Sequence, residues 1–187
     1  FIKNLSQFGF LIAILVGMGQ VASEKEKGIS AMLLHKPLPR WAYILSKFVA
    51  QALVYLAGFG VAELFGYFYT TYLFGSVALG VFTLVNLLLF LWLMCFVAIT
   101  LLGSSVSRSV GAAAGVSLAG AVLIMLTAQI PQYGAISPQA LLAWASLLAK
   151  DQAVSLQTSN FTAVGMSVVL IFVCVVWAVG LFEQQEI

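Results

Sequence analysis

The chain has 187 residues, of which 63% are hydrophobic and 7% charged, with a formal net charge of +2 and a mean hydropathy of +1.10. Soluble domains carry about 25% charged residues, so there is too little polar surface here to coat a water-soluble globule. A soluble enzyme and a disordered chain are excluded. The scattered basic residues leave no electrostatic footprint for nucleic acid. The composition is that of an integral membrane protein.

A transmembrane helix needs about 20 mostly apolar residues to cross about 30 Å of hydrocarbon, and five segments qualify. In chain order they are 5–22; 43–67, with Lys47 near one end and Glu63 near the other; 77–102 and 110–130; and 161–182. Barrel strands alternate polar and apolar residues, whereas LVNLLLFLWLMCFV at 84–97 is apolar on both parities apart from Asn86. The expected fold is therefore all-α: a polytopic transmembrane helix bundle forming a single domain over 1–187. The segment 131–160 contains Pro131 and Pro138 around an apolar stretch at 140–149. That stretch is too short to span and is read as an interfacial or re-entrant helix in an outer loop. No Met opens the chain and no basic region with a cleavage site follows Phe1, so a preceding segment with a further span is expected.

Orientation follows the positive charge of short loops. Residues 23–40 hold Lys25, Lys27, Lys36 and Arg40, and residues 103–109 hold Arg108, whereas the opposite side has Lys3 and Lys150. This places loops 23–40 and 103–109 and the C-terminus in the cytoplasm of a cell whose inner membrane holds the protein. Trp41 and Tyr43 mark the inner interface, and Tyr67, Tyr69 and Tyr72 the outer one. Cys95 and Cys174 sit inside apolar runs and read as small buried hydrophobes.

The informative loop is SEKEKGISAMLLHKPLPR, residues 23–40. Ser23 and Glu26 match the spacing of a capping box at a helix start. Ile29, Met32 and Leu33 then recur on one apolar face, and Pro37 and Pro39 end the helix. Two readings stand side by side: a helix lying on lipid with its charges solvated, or a knob that docks into a cytoplasmic partner.

EKEKGISAMLLHKPLPRWAYILSKF resembles the segment after the second membrane helix of type-2 ABC transporter permeases, through Glu24, Glu26, Gly28, Leu33, Leu34, Pro37, Arg40 and Lys47. The five-span layout is similar to the second to sixth helices of that family, with short outer helices before the last span. The resemblance implies that residues 23–40 form a coupling helix seated on a cytoplasmic ABC ATPase subunit, with Glu24, Lys25, Glu26, Lys27, Gly28, Ile29, Met32, Leu33, Pro37 and Arg40 as contact residues. It also implies a second permease copy, as homodimer or paired permease, and ATP-driven transport, with export as the expected direction. The sequence has no G-x-x-x-x-G-K-[ST] phosphate loop, so this chain is not expected to be catalytic by itself or to bind a cofactor. ATP and Mg would be held by the partner ATPase.

Within the spans, Gln51, Glu63 and Asn86 are candidates for a substrate path. A charge in hydrocarbon costs at least a few kcal/mol, but Glu63 lies about 24 Å along a helix from Lys47, and solvation at the outer interface explains it more simply than a gate. Gln20 and Gln51 lie toward the inner ends of their spans, where they would cap helices or line a vestibule. Gly111 and Gly115 form a GxxxG pattern that suits close helix packing, within one subunit or across a dimer. His35 has no second His or Cys beside it, and a metal site needs about three or four converging ligands. Two other functions fit an apolar bundle: an ion-coupled secondary carrier, with Glu63 as its ionisable group, and a non-transporting membrane subunit that docks a cytoplasmic protein. The substrate is not specified by these residues.

Overall fold

The computed structural model describes residues 2–28, 39–75, 78–130, 133–150 and 158–184. Seven helices occupy them: α1 (Ile2–Gly17), α2 (Gly19–Glu26), α3 (Arg40–Phe74), α4 (Leu79–Val106), α5 (Val110–Thr127), α6 (Gln139–Lys150) and α7 (Thr158–Glu183). No strand occurs among the described residues. Five stretches are long and apolar enough to cross a membrane: Ser6–Glu26, Arg40–Leu73, Leu79–Val106, Val110–Thr127 and Asn160–Glu183. The chain is thus an all-α polytopic bundle.

The helix ends depart from the sequence reading where polar residues continue a helix beyond its apolar run. The first span does not end at 22 but continues through Ser23, Glu24, Lys25 and Glu26. The second begins at Arg40 rather than 43 and runs to Phe74 rather than 67. At 1.5 Å per residue, α3 is about 52 Å long, more than the hydrocarbon thickness, and Tyr69 and Tyr72 near its C-terminal end are exposed. The capping box expected at Ser23 and Glu26 is corrected: both lie in the last turns of α2, not at a helix start. Lys27 closes that helix, and Gly28 follows at φ +70°, a backbone conformation that favours glycine. The stop signal in this loop is thus Gly28. Of the expected coupling helix, Ile29, Met32, Leu33 and Pro37 lie outside the described residues.

The central element is α4, an uncharged 28-residue helix that packs against every other described helix. A helix apolar all round is stable when surrounded, and Leu89, Trp92, Phe96, Val97 and Leu101 of α4 are fully buried. Phe59–Phe90 and Tyr67–Phe82 ring pairs, both with centroids 5.6 Å apart, set an antiparallel α3–α4 register. Large apolar residues of α3 and α7, among them Val54, Phe68, Phe172 and Trp177, face outward, as lipid-facing residues do. α6 buries Leu141, Trp144, Ala145 and Leu148 in the same core, with Pro138 just before its first residue.

The first span is interrupted at Met18, between α1 and α2. Ser104 of α4 explains the break. Its fully buried hydroxyl accepts from the N–H groups of Val21 (3.1 Å) and Ala22 (3.0 Å) and donates to the Met18 carbonyl at 2.9 Å. A side chain inserted into a helix's own hydrogen-bond ladder is a recognised cause of a kink. Gly17 makes the close approach possible, since a Cβ there would stand 2.7 Å from Thr100 Cγ2.

Candidate functional site

At the end of the bundle that carries most of the basic residues, the polar residues of the 23–40 region close on one another. Glu24 of α2 forms an ion pair with Lys47 of α3 and accepts a hydrogen bond from the Tyr43 hydroxyl. Both charged side chains are about three-quarters buried, at 25% and 27% exposed. Lys25 turns the other way, donating to the Ser105 carbonyl of α4 and lying 5.1 Å from the Phe182 ring centroid of α7. Phe182 in turn stacks on Tyr43, with centroids 5.4 Å apart. Glu26 accepts the Val110 N–H of α5 at 3.3 Å. Arg40 donates to the Glu183 carbonyl at 2.9 Å, where a cation meets the negative end of the α7 dipole. Beneath these groups, Val21, Ile44, Leu101, Ala178 and Phe182 form a separate buried apolar cluster.

The geometry explains why charges are tolerated here. The helices end together, so Glu24 finds the Lys47 counter-charge, Lys25 a carbonyl and an aromatic face, Glu26 a backbone N–H and Arg40 a carbonyl. Glu24, Lys25 and Glu26 reach four different helices from adjacent positions, because successive residues on a helix point about 100° apart. The result is a polar collar that links α2, α3, α4, α5 and α7. It also ties together the described residues on either side of 29–38, α2 before it and Arg40 after it.

The other predicted residues are distributed differently. Gln51 is 3% exposed and its amide has no hydrogen-bond partner among the described residues, so it caps no helix. Asn86 is also buried, but its amide donates to the Phe82 carbonyl of its own helix at 3.0 Å. The α3–α4 register puts Glu63 and Asn86 at one level, yet Glu63 is only half-buried and no bond joins them. Gly111 and Gly115 lie on the exposed face of α5, with nothing within 4 Å of a Cβ built on either. Among the described residues, packing inside the subunit therefore does not use this pair. The contact face of α5 carries Ala113, Ser117 and Ala121, and Gly103 of α4 approaches Ser117 N and Ala113 O to within 3.2 and 3.3 Å of a built Cβ.

Sequence reasoning missed Tyr43, Ser105 and Phe182 as members of the collar, and Ser104 as the cause of the kink. One signal was available: Glu24 and Lys47 are opposite charges at the facing ends of consecutive spans, which an antiparallel hairpin brings to the same depth.

A polytopic bundle of five long apolar helices, with most of its described basic residues gathered at one end, is an integral membrane protein. Residues 4–187 match the family described as ABC-2 family transporter protein, and the chain belongs to that family. It is also 34% identical over 126 residues to the uncharacterized transmembrane protein YxlG of Bacillus subtilis (strain 168), an alignment that covers 65% of this chain and 49% of the relative. The chain thus spans about half the length of the curated relative it matches.

Proposed function

We propose that this chain is the membrane-spanning permease subunit of an ATP-driven ABC exporter and that residues 23–40 couple it to a separate cytoplasmic ATPase. ATP and Mg would be bound by that ATPase, and a second permease copy would complete the translocation path, with the basic end of the bundle in the cytoplasm. The observation that carries the reading is the collar. Glu24, Lys25, Glu26 and Arg40 bracket the segment 29–38 and connect its two ends to α3, α4, α5 and α7.

On this reading the motif has two tasks. Ile29, Met32 and Leu33 are the contact residues for the ATPase, with Lys27, Gly28 and Pro37 shaping and flanking their turn. Glu24, Lys25, Glu26 and Arg40 transmit. When paired ATPases close on ATP, a rigid displacement of the segment would shift the ends of the spans together, a rocking of packed elements rather than a local loop motion. Ordinary allosteric couplings amount to about 1–3 kcal/mol, which a collar of several hydrogen bonds and one ion pair can carry.

Purification of the intact complex in mild detergent, with mass identification of whatever co-purifies, tests the reading. The expected partner is a cytoplasmic ATPase with a phosphate loop, retained by the wild type and lost from Met32→Arg. Retention of the ATPase by Met32→Arg would remove the docking role from this segment. Absence of any ATPase would favour the ion-coupled carrier or the non-transporting docking subunit.

A further inference from the structure

The first span is held as two separately anchored pieces. α1 packs Ala13 and Ile14 into the larger buried cluster, with the Phe10 ring centroid 5.8 Å from that of Phe96. α2 buries Val21 in the second cluster, with Ile44, Leu101, Ala178 and Phe182, and its last turn bonds to α3, α4 and α5 through Glu24, Lys25 and Glu26. The interruption at Met18 falls where one cluster gives way to the other. Glycines flank it. Gly17 is required by its packing against Thr100, but a Cβ on Gly19 would meet only Ser23 Cβ, at 3.8 Å, which is ordinary contact. Gly19 thus answers no packing need, and what it supplies is a weaker continuation of the helix.

Ser104 holds the interruption with bonds that both partners can make without it. Elsewhere on α4, Asn86, Cys95 and Thr100 each turn a donor back to the carbonyl four residues earlier, as polar side chains in helices do when they bond locally. Ser104 instead reaches the first span, accepting from Val21 and Ala22 and donating to Met18. In an unbroken span those two N–H groups would bond the Gly17 and Met18 carbonyls, and the hydroxyl would turn to the Thr100 carbonyl of its own helix. Three bonds are made in either arrangement, so hydrogen bonding alone favours neither.

We infer that the first span is a two-position hinge at Met18, with the Ser104 hydroxyl as the latch of the bent form. An element with two discrete arrangements of similar energy converts a small push into a defined movement. Releasing the latch straightens the span and carries α2 away from Ser104, together with the end that Glu24, Lys25 and Glu26 tie to three other helices. That an ATPase supplies the push rests on the permease reading; that the span has two forms does not.

The test is 13C NMR of the full chain in lipid nanodiscs, labelled at its methionine methyl groups. Met18 is one of five methionines, and its signals are those lost in Met18→Leu. The expected spectrum has two Met18 signals joined by exchange peaks, the larger from the bent form. Gly19→Ala, which strengthens the continuous helix without a clash, should raise the minor signal relative to the major by about fivefold. Ser104→Ala removes bonds from the bent form alone and should reverse the ratio. Gly19→Ala leaves both buried clusters untouched, so it decides the matter even where Ser104→Ala unfolds the chain. A single Met18 signal at the same position in the wild type and both variants would overturn the hinge and leave a fixed break. Two signals whose ratio Ser104→Ala does not change would overturn the latch. No ATPase is present, so failure here leaves the coupling proposal standing, and failure of the coupling proposal leaves the two forms measurable.

Discussion

Replacing Ser104 with Ala removes one oxygen and three hydrogen bonds, and the structure brackets what that costs. The hydroxyl is fully buried and accepts from two backbone N–H groups of the first span while donating to a third residue's carbonyl. If the kink at Met18 persists, two buried N–H groups lose that acceptor, at about 1–3 kcal/mol each. If the span straightens, those groups recover acceptors within the helix, and the loss falls toward the ~0.6 kcal/mol average of an interhelical membrane hydrogen bond. The expected result lies between these limits, a destabilisation of about 2 kcal/mol, with faster hydrogen exchange at Val21 and Ala22. Ser117→Ala is the matched control. Ser117 is as buried as Ser104, but its hydroxyl has no partner among the described residues, so its removal should be neutral or slightly stabilising. Unfolding in detergent, read by the tryptophans, compares the two. Equal stability of the two variants would refute the account of the kink.

Gly17→Ala should destabilise by about 1–3 kcal/mol, because its Cβ meets Thr100 Cγ2 at 2.7 Å and overpacking a rigid core costs that much; Gly115→Ala, with open space around it, should leave unfolding of the single chain unchanged. A double-mutant cycle of Glu24→Gln and Lys47→Met should give a coupling energy of about 1–2 kcal/mol, between the values for exposed and fully buried pairs. A coupling near zero in that cycle would remove the ion pair from the collar.

Much of the fold was legible because a bilayer imposes a length and an apolar composition on anything that crosses it. The uncharged stretch 77–102 announced α4, and the short apolar run at 140–149 announced α6. Helix ends were harder to read. Ser23 and Glu26 satisfy a capping-box spacing, but the same four residues also suit the last turn of a helix, and only the packing of Ser104 and Ser105 against α2 decides between the two. Gly111 and Gly115 show a related limit: the GxxxG spacing marks a face that admits close approach but not the helix that approaches. In the candidate site, the charges of 23–40 were visible, whereas their aromatic and carbonyl partners come from residues 43, 105 and 182, whose proximity is a property of the bundle. Gln51 stood out as a polar residue in a span, but its burial beside Gly17 depends on how α1 and α3 meet.

The central claim is that residues 23–40 bind a cytoplasmic ATPase and that the collar transmits its motion. Its most direct test is a photo-crosslinking amino acid placed at Met32 in the full chain, irradiated in intact cells, with the adduct identified by mass. The account predicts a single major adduct, to an ATPase that carries a phosphate loop, and none from the same probe placed at Tyr72 near the other end of α3. Adducts only to lipid from Met32, with the ATPase absent, would contradict it.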